Sequence, residues 1–157
     1  MKLSRRTGLI LVALAPVMLL AGCGRDPVLR VNEAVVKLSP VDSNPSAMYF
    51  NIHGGPADVH LIAVTSRSAI RIEMHESSVD AKTGMMTMSK IDRLKVPKGS
   101  KIEFRRGGKH VMLWGINLPA RRLQRIDVEF VFSNGDRILV ETPIEKIADE
   151  SGEHSSH

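Results

Sequence analysis

Apolar and polar residues alternate along most of the chain in short runs, and turn-forming residues separate these runs. The clearest alternation precedes Asn134-Gly135, a dipeptide typical of two-residue hairpin turns. The apolar residues there occupy every second position: Ile126, Val128, Phe130 and Phe132. Similar runs cover residues 28–38, 47–53, 59–65, 69–75, 91–96, 101–105 and 109–115, with a polar loop expected at Ser77–Gly84. No stretch keeps a 3.6-residue period over three turns, so the pattern predicts a single all-β domain, an antiparallel sandwich or barrel, over residues 28–147.

The N-terminal segment follows a different pattern. A basic start precedes an apolar segment from Gly8 to Leu20, which is shorter than the roughly 20 residues of a membrane-spanning helix and typical of a secretory signal. The segment ends in Leu20-Ala21-Gly22-Cys23, which resembles the bacterial lipobox, whose cysteine is lipidated and becomes the first residue of the mature protein. A plain secretory signal with an incidental thiol is the alternative.

The lipobox interpretation divides the chain into a lipoprotein signal peptide at residues 1–22, a lipid-anchored tether at residues 23–27, and the β domain. We then expect a periplasmic protein that is held on a bacterial membrane through Cys23. Because Gly24 stands where an Asp would indicate retention at the inner membrane, the outer membrane is favoured.

Charge and cysteine content exclude several classes of function. Of the 22 lysines and arginines, Lys2, Arg5 and Arg6 lie in the predicted signal, so 19 remain against 17 acidic residues, a net charge of +2. This charge is too small for a nucleic-acid-binding surface. The single cysteine excludes an internal disulfide, a Cys-x-x-Cys redox pair and a zinc site made of cysteines alone. If Cys23 is lipidated, a soft metal must be bound through His and Met.

The eight methionines and six histidines are the unusual feature of the composition. Five of the six methionines that follow the signal lie between positions 74 and 112: Met74, Met85, Met86, Met88 and Met112. Methionine normally fills gaps dispersed through a core, and exposed methionine is readily oxidised. A thioether is a soft ligand that suits Cu(I), so a methionine cluster outside the cytoplasm indicates copper.

Two short motifs place histidines beside these methionines. His110 and Met112 flank Val111 in a predicted strand, so both side chains should lie on one face, with Cα atoms roughly 6.5–7 Å apart. His75 lies at the predicted end of another strand, where its imidazole could face the methionine cluster. The histidines His53 and His60 are expected to be structural or surface residues.

Together these motifs resemble the periplasmic PCu(A)C copper chaperones, whose pattern is His (or Met), ten residues, Met, about twenty-one residues, and His-x-Met. Ten residues separate His75 from Met86, but 23 separate Met86 from His110, whereas Met88 leaves twelve and 21. We take Met86 as the second ligand, with Met88 as the alternative and Met85 as a weaker third choice. The flanking sequences Ile72–Glu76, Val96–Gly99 and Gly107–Leu113 also look like the family.

The resemblance implies a cupredoxin-like Greek-key fold and a Cu(I) site formed by His75, Met86, His110 and Met112. It also implies a chaperone, not an enzyme, that delivers copper to the CuA site of cytochrome c oxidase, directly or with Sco-type proteins. We expect the protein to be a monomer. Two alternatives remain: a copper buffer or resistance lipoprotein without specific delivery, and a structural envelope lipoprotein that binds no metal. We expect residues 148–157 to be disordered, with His154 and His157 either solvated or forming a secondary Cu(II) site.

Overall fold

Ten β-strands and one short helix make up the computed structural model, which describes residues 26–146. The strands are β1 (Arg30–Leu38), β2 (Ser46–His53), β3 (Val59–Thr65), β4 (Arg71–Val79), β5 (Met86–Ile91), β6 (Leu94–Val96), β7 (Lys101–Phe104), β8 (Lys109–Trp114), β9 (Arg125–Phe132) and β10 (Arg137–Lys146). The helix α1 spans Leu118–Leu123 and lies between β8 and β9. The predicted all-β class is confirmed.

The strands hydrogen-bond in the order β5-β4-β8-β2-β1-β10-β9-β3-β6, and β7 pairs with the part of β2 that β8 leaves free. Within residues 26–146, β1 and β10 form the one parallel pair, and every other pair is antiparallel. The sheet curves into a nearly closed barrel. In this barrel β4 lies between β5 and β8.

One apolar core fills the inside of this barrel. Phe50 of β2 stacks on Phe104 with ring centroids 4.1 Å apart, and meets Phe130 edge-on at 4.8 Å. Met74 of β4 and Val111 of β8 are paired across the two strands and are buried in the same core. Because side chains alternate along a strand, the residues on either side of Met74 and Val111 point away from the core.

Two predicted boundaries around the methionine cluster are wrong. The expected polar loop at Ser77–Gly84 is shorter, because β4 continues to Val79 and pairs with β5 through Ser77 and Ser78. Backbone pairing with an edge strand does not require apolar side chains, and polar residues are common at such edges. The run at residues 91–96 is also not one strand: β5 ends at Ile91, and β6 begins at Leu94.

Two further local features differ from the prediction. Asn134-Gly135 does not form a two-residue turn: Phe132 N–H donates to the Asp136 carbonyl at 2.9 Å, which leaves a three-residue loop with Gly135 at φ 93°. Three-residue hairpin loops with glycine in the left-handed region are the next most common kind. Helix α1 was not predicted because its six residues are too few to show a period; Asn117 caps it by accepting from Ala120 N–H.

Within residues 26–146, the structure has no helix long and apolar enough to cross a bilayer. The predicted signal peptide, the lipidation site Cys23 and the tail at residues 148–157, with His154 and His157, lie outside the described residues. The domain boundaries at residues 28 and 147 stay predictions.

Candidate metal site

The antiparallel register of β4 and β8 places His75 directly opposite His110. Cα atoms of such cross-strand partners lie about 4.5–5.5 Å apart, and both side chains point to the same face of the sheet. The two imidazole rings are nearly parallel, at 23°, with centroids 6.1 Å apart. His75 and His110 therefore form a pair on the face turned away from the core.

The same register brings Met112 to this face. Met112 lies opposite Glu73, two residues from His75 on β4, and two residues from His110 on its own strand. It is half-buried, whereas His110 is 8% exposed. The alternation expected for His110 and Met112 is thus present in β8.

Register also distinguishes the two candidate methionines of β5. Met88 lies opposite Ser77, one diagonal step from His75, which corresponds to roughly 7–8 Å between Cα atoms. Met86 lies opposite Val79, four residues beyond His75 along β4, or roughly 13 Å. Both point to the same face as His75 and both are exposed, at 52% and 67%. Of the two, Met88 lies nearer the histidine pair.

A short loop, residues 80–85, joins β4 to β5 and is held by its own hydrogen bonds. Asp80 accepts hydrogen bonds from Lys82 N–H and Thr83 N–H at 2.9 and 2.8 Å, and Asp80 N–H donates to the Met85 carbonyl at 2.9 Å. The hydrogen bonds from the Thr83 backbone and side chain, and then that from Lys82, lower the pKa of Asp80 below its ordinary value of 3.8. Gly84 has φ 68°, which closes the turn before β5.

Each histidine has one ring nitrogen held by a neighbouring oxygen. Nε2 of His75 lies 3.1 Å from Oε2 of Glu73, and Nδ1 of His110 lies 2.9 Å from the Gly108 carbonyl oxygen. Nδ1 of His75 is buried and has no hydrogen-bond partner among the described residues. Unpartnered buried polar atoms are rare in proteins, which makes this nitrogen a candidate metal ligand.

Cationic and aromatic side chains surround the histidine pair. Trp114 is half-buried, with its ring centroid 6.5 Å from that of His75, and the Arg71 guanidinium lies 3.9 Å from the Trp114 ring. Lys90 of β5 lies opposite His75 on the side away from His110. The Lys109–Glu76 ion pair, at 2.7 Å, lies on the other face of the sheet.

Two groups that contact the histidines, Glu73 and the Gly108 carbonyl, were not predicted from the sequence. Glu73 was detectable by the same alternation that joined His110 to Met112, because it lies two residues before His75 on one strand. The Gly108 contact depends on the turn between β7 and β8 and had no sequence signal. His53 and His60 lie elsewhere in the barrel, opposite Lys101 and Lys95 respectively.

The donors on this face determine which metals it suits. Within residues 26–146, the structure contains no group of three or more His, Cys, Asp or Glu side chains that could hold a metal ion. Besides the two imidazoles, Met112 and Met88 bring thioether sulfur to this face. Imidazole suits zinc as well as copper, but thioether sulfur is a soft ligand that suits Cu(I), whereas zinc sites use cysteine, histidine and carboxylate and magnesium sites use oxygen.

Comparison with known proteins places the chain in a family. Residues 29–144 match the family model described as "Putative lipoprotein LpqE-like". The protein belongs to the LpqE-like family. A relative, "Putative lipoprotein Lxx21020" of Leifsonia xyli subsp. xyli (strain CTCB07), is 29% identical over 118 residues, which is 74% of this chain and 69% of the relative.

Several solved structures resemble this LpqE-like chain in fold. The copper-bound PCuAC domain of PmoF2 superimposes with a TM-score of 0.60 at 14% identity, over 79% of this chain and 97% of that domain. The Cu(I) form of DR1885 from Deinococcus radiodurans superimposes with a TM-score of 0.58 at 21% identity, over 80% and 83% of the two chains. The predicted cupredoxin-like, PCuAC-type fold is confirmed.

Proposed function

We propose that this LpqE-like protein is an extracytoplasmic copper chaperone that holds one Cu(I) ion on the outer face of β4, β5 and β8. The observation that carries the proposal is the cross-strand pair of His75 and His110, with Met112 and Met88 one diagonal step from His75 on the same face. The solved structures of similar fold include copper-bound and Cu(I)-bound PCuAC domains, which supports copper as the metal.

The ligands proposed are His75, His110 and Met112, with a methionine of β5 as the fourth. The interval of ten residues favours Met86 in the sequence, but the register supports Met88, since it lies nearer the histidines. We therefore propose Met88 as the fourth ligand. Met86 lies further along the exposed edge strand β5, where its sulfur could receive the ion during exchange.

The proposed mechanism is ligand exchange. No copper–thiolate bond has to be broken when the ion leaves, because neutral imidazoles and thioethers bind Cu(I) without a thiolate. The exposed methionines of β5 lie at the edge of the sheet, so a docked partner can contact the ion directly. No bond of a substrate is changed, and the protein acts as a carrier and not as an enzyme.

The proposed location and partner follow from the family and the sequence. The LpqE-like family and the Leifsonia relative are both described as lipoproteins, which supports a membrane anchor at Cys23 and a place outside the cytoplasm. The proposed acceptor is the CuA site of cytochrome c oxidase, reached directly or through a Sco-type protein. A copper buffer without delivery would use the same ligands and is separated from a chaperone by transfer kinetics.

The test is a Cu(I) titration of the chain from residue 24 onward, under reducing conditions, against a competing chelator. We expect one tight equivalent, lost in a His110→Ala/Met112→Ala variant and kept in His60→Ala, which removes a histidine elsewhere in the barrel. Loaded protein should then pass Cu(I) to an oxidase fragment with an empty CuA site at a rate that rises with fragment concentration.

Three results would contradict parts of this proposal. No stoichiometric Cu(I), or binding that the double variant keeps, would leave a lipoprotein of another function. Tight binding with transfer no faster than spontaneous dissociation would indicate a buffer instead of a chaperone.

A further inference from the structure

The neighbouring oxygen atoms contact different ring nitrogens in the two histidines of the site. Oε2 of Glu73 lies 3.1 Å from Nε2 of His75, and the Gly108 carbonyl oxygen lies 2.9 Å from Nδ1 of His110. A carboxylate and a carbonyl can only accept hydrogen bonds, so the ring nitrogen beside each of them must carry the proton. For neutral rings, the tautomers that satisfy both contacts carry the proton on Nε2 of His75 and on Nδ1 of His110.

The remaining nitrogen of each ring then carries a lone pair. In His75 it is Nδ1, which is buried and has no partner among residues 26–146. In His110 it is Nε2, at the outer end of the imidazole. Burying a polar atom without a partner costs free energy of folding. The simplest explanation in this site is that Nδ1 of His75 binds a metal ion in the loaded protein.

We propose that Glu73 is a positioning residue that fixes the tautomer of His75, so that copper binds Nδ1 of His75 and Nε2 of His110. The inference rests on the copper site proposed above. Histidine ligands of metals commonly donate their second N–H to a carboxylate or backbone carbonyl, which fixes the ring and raises its basicity. Here one histidine uses a carboxylate and its cross-strand partner uses a carbonyl.

Glu73 itself is a poor candidate for a copper ligand. Carboxylate oxygen suits hard cations, whereas Cu(I) prefers sulfur and imidazole. The Glu73 side chain is 25% exposed and that of His75 is 15% exposed, so the contact is sheltered from solvent. Glu73 also lies opposite Met112 in the register, which places its charge beside the site.

The first measurement is the tautomer of each histidine in the copper-free protein, by long-range proton–nitrogen correlation on the ¹⁵N-labelled mature chain at a pH where the rings are neutral. We expect Nε2–H for His75 and Nδ1–H for His110. Glu73→Ala should convert His75 to a mixture of tautomers, while Glu73→Gln should restore Nε2–H because its amide oxygen still accepts. Glu76→Gln, on the opposite face of the sheet, is the matched control and should change neither ring.

The second measurement is Cu(I) affinity by chelator competition. We expect Glu73→Ala to weaken binding about 10–100-fold, as is typical for groups that orient a ligand, and Glu73→Gln to recover part of that loss. Since Cu(I) is diamagnetic, the nitrogen spectrum of the loaded protein should show Nδ1 of His75 and Nε2 of His110 shifted.

The two proposals fail in different ways. A wild-type chain that binds no Cu(I) overturns the copper function. A wild-type chain that binds Cu(I) but has His75 protonated at Nδ1, or whose tautomer and affinity Glu73→Ala leaves unchanged, overturns the role of Glu73 alone. The backbone amide spectrum of each variant reports whether the fold is kept, and Glu73→Gln provides the test if Glu73→Ala does not fold.

Discussion

His75 and His110 lie directly opposite each other on β4 and β8, with ring centroids 6.1 Å apart. Imidazole nitrogens bind metal ions at about 2 Å, as in zinc sites, so two rings at this separation are close enough to share one ion. The backbone hydrogen bonds of β4 and β8 hold both residues in place before any metal arrives. This preorganisation is the basis of the predictions for the site.

Met88 should contribute more to Cu(I) binding than Met86. Met88 lies one diagonal step from His75, whereas Met86 lies two pairs further along the hairpin. Leucine keeps the size of methionine but removes the sulfur, so Met88→Leu should weaken Cu(I) binding at least tenfold in a chelator competition and Met86→Leu should change it less than threefold. Met85→Leu is the control for an exposed methionine outside β5. A larger loss in Met86→Leu would restore the sequence-based choice.

Trp114 should report copper binding through its fluorescence. It is the one tryptophan of the sequence, and its ring centroid lies 6.5 Å from that of His75. An ion bound beside His75 lies close enough to quench the indole, so emission should fall to a plateau at one equivalent of Cu(I). The His110→Ala/Met112→Ala variant should lose this saturable change. Quenching that continues linearly beyond one equivalent would indicate nonspecific binding.

The sequence predicted those parts of the site that depend on local alternation. His110 and Met112 share a face because they are two residues apart on one strand. Local alternation also predicted β3, away from the site, with its observed bounds. The pairing of His75 with His110 could not be predicted, because it depends on the register between strands 35 residues apart in the chain. The same register separates Met88 from Met86, which residue intervals alone left ambiguous.

Polar edges and short elements were the other source of error. Ser77 and Ser78 have the composition of a loop, yet they extend β4 because β5 supplies partners for their backbone groups. The tautomers of the histidines depend on oxygen atoms that only the folded chain brings within 3.1 Å. These features arise from long-range pairing, which a period in one segment cannot reveal.

Gly54 should be essential for stability at the end of β2. A Cβ atom there would lie 2.1 Å from the Pro97 carbonyl oxygen, and Gly54 N–H donates to the Ser100 carbonyl at 2.7 Å. Because the atom that clashes belongs to the backbone, Gly54→Ala should reduce the free energy of unfolding by about 3 kcal/mol, the upper end of the usual range for overpacking. Denaturant titration measures the loss.

Gly107→Ala is the matched control for Gly54. Gly107 has φ 75° but nothing within 4 Å of the added Cβ, so Gly107→Ala should lose only the cost of a left-handed backbone, about 1–2 kcal/mol. Equal losses in the two variants would show that the close approach to Pro97 contributes nothing.

The loop that joins β4 to β5 should loosen in acid. Hydrogen bonds from Thr83 and Lys82 lower the pKa of Asp80 in the folded protein, so the stability they contribute is present above the ordinary value of 3.8 and is lost as the pH falls through the lower folded pKa. The amide resonances of Lys82 and Thr83 should shift with a midpoint below 3.8. Asp80→Asn should abolish this transition and leave the spectrum of β9 unchanged. A midpoint at or above 3.8 would contradict the proposed cause.

Oxidation should separate the exposed methionines from those of the core, and copper should protect only its ligands. Met85, Met86 and Met88 are more than half exposed, whereas Met48 and Met74 are buried in the core. Mild peroxide should therefore form sulfoxide on the exposed three first, as read by mass spectrometry of peptides. One equivalent of Ag(I), a soft d10 ion that stands in for Cu(I) and that peroxide does not oxidise, should slow oxidation of Met88 and Met112 severalfold and leave Met85 unchanged. Since the thioether lone pair cannot bind the ion and react with peroxide at once, protection that falls on Met86 instead of Met88 would move the fourth ligand along β5. Protection of none of Met86, Met88 and Met112 would remove methionine from the site.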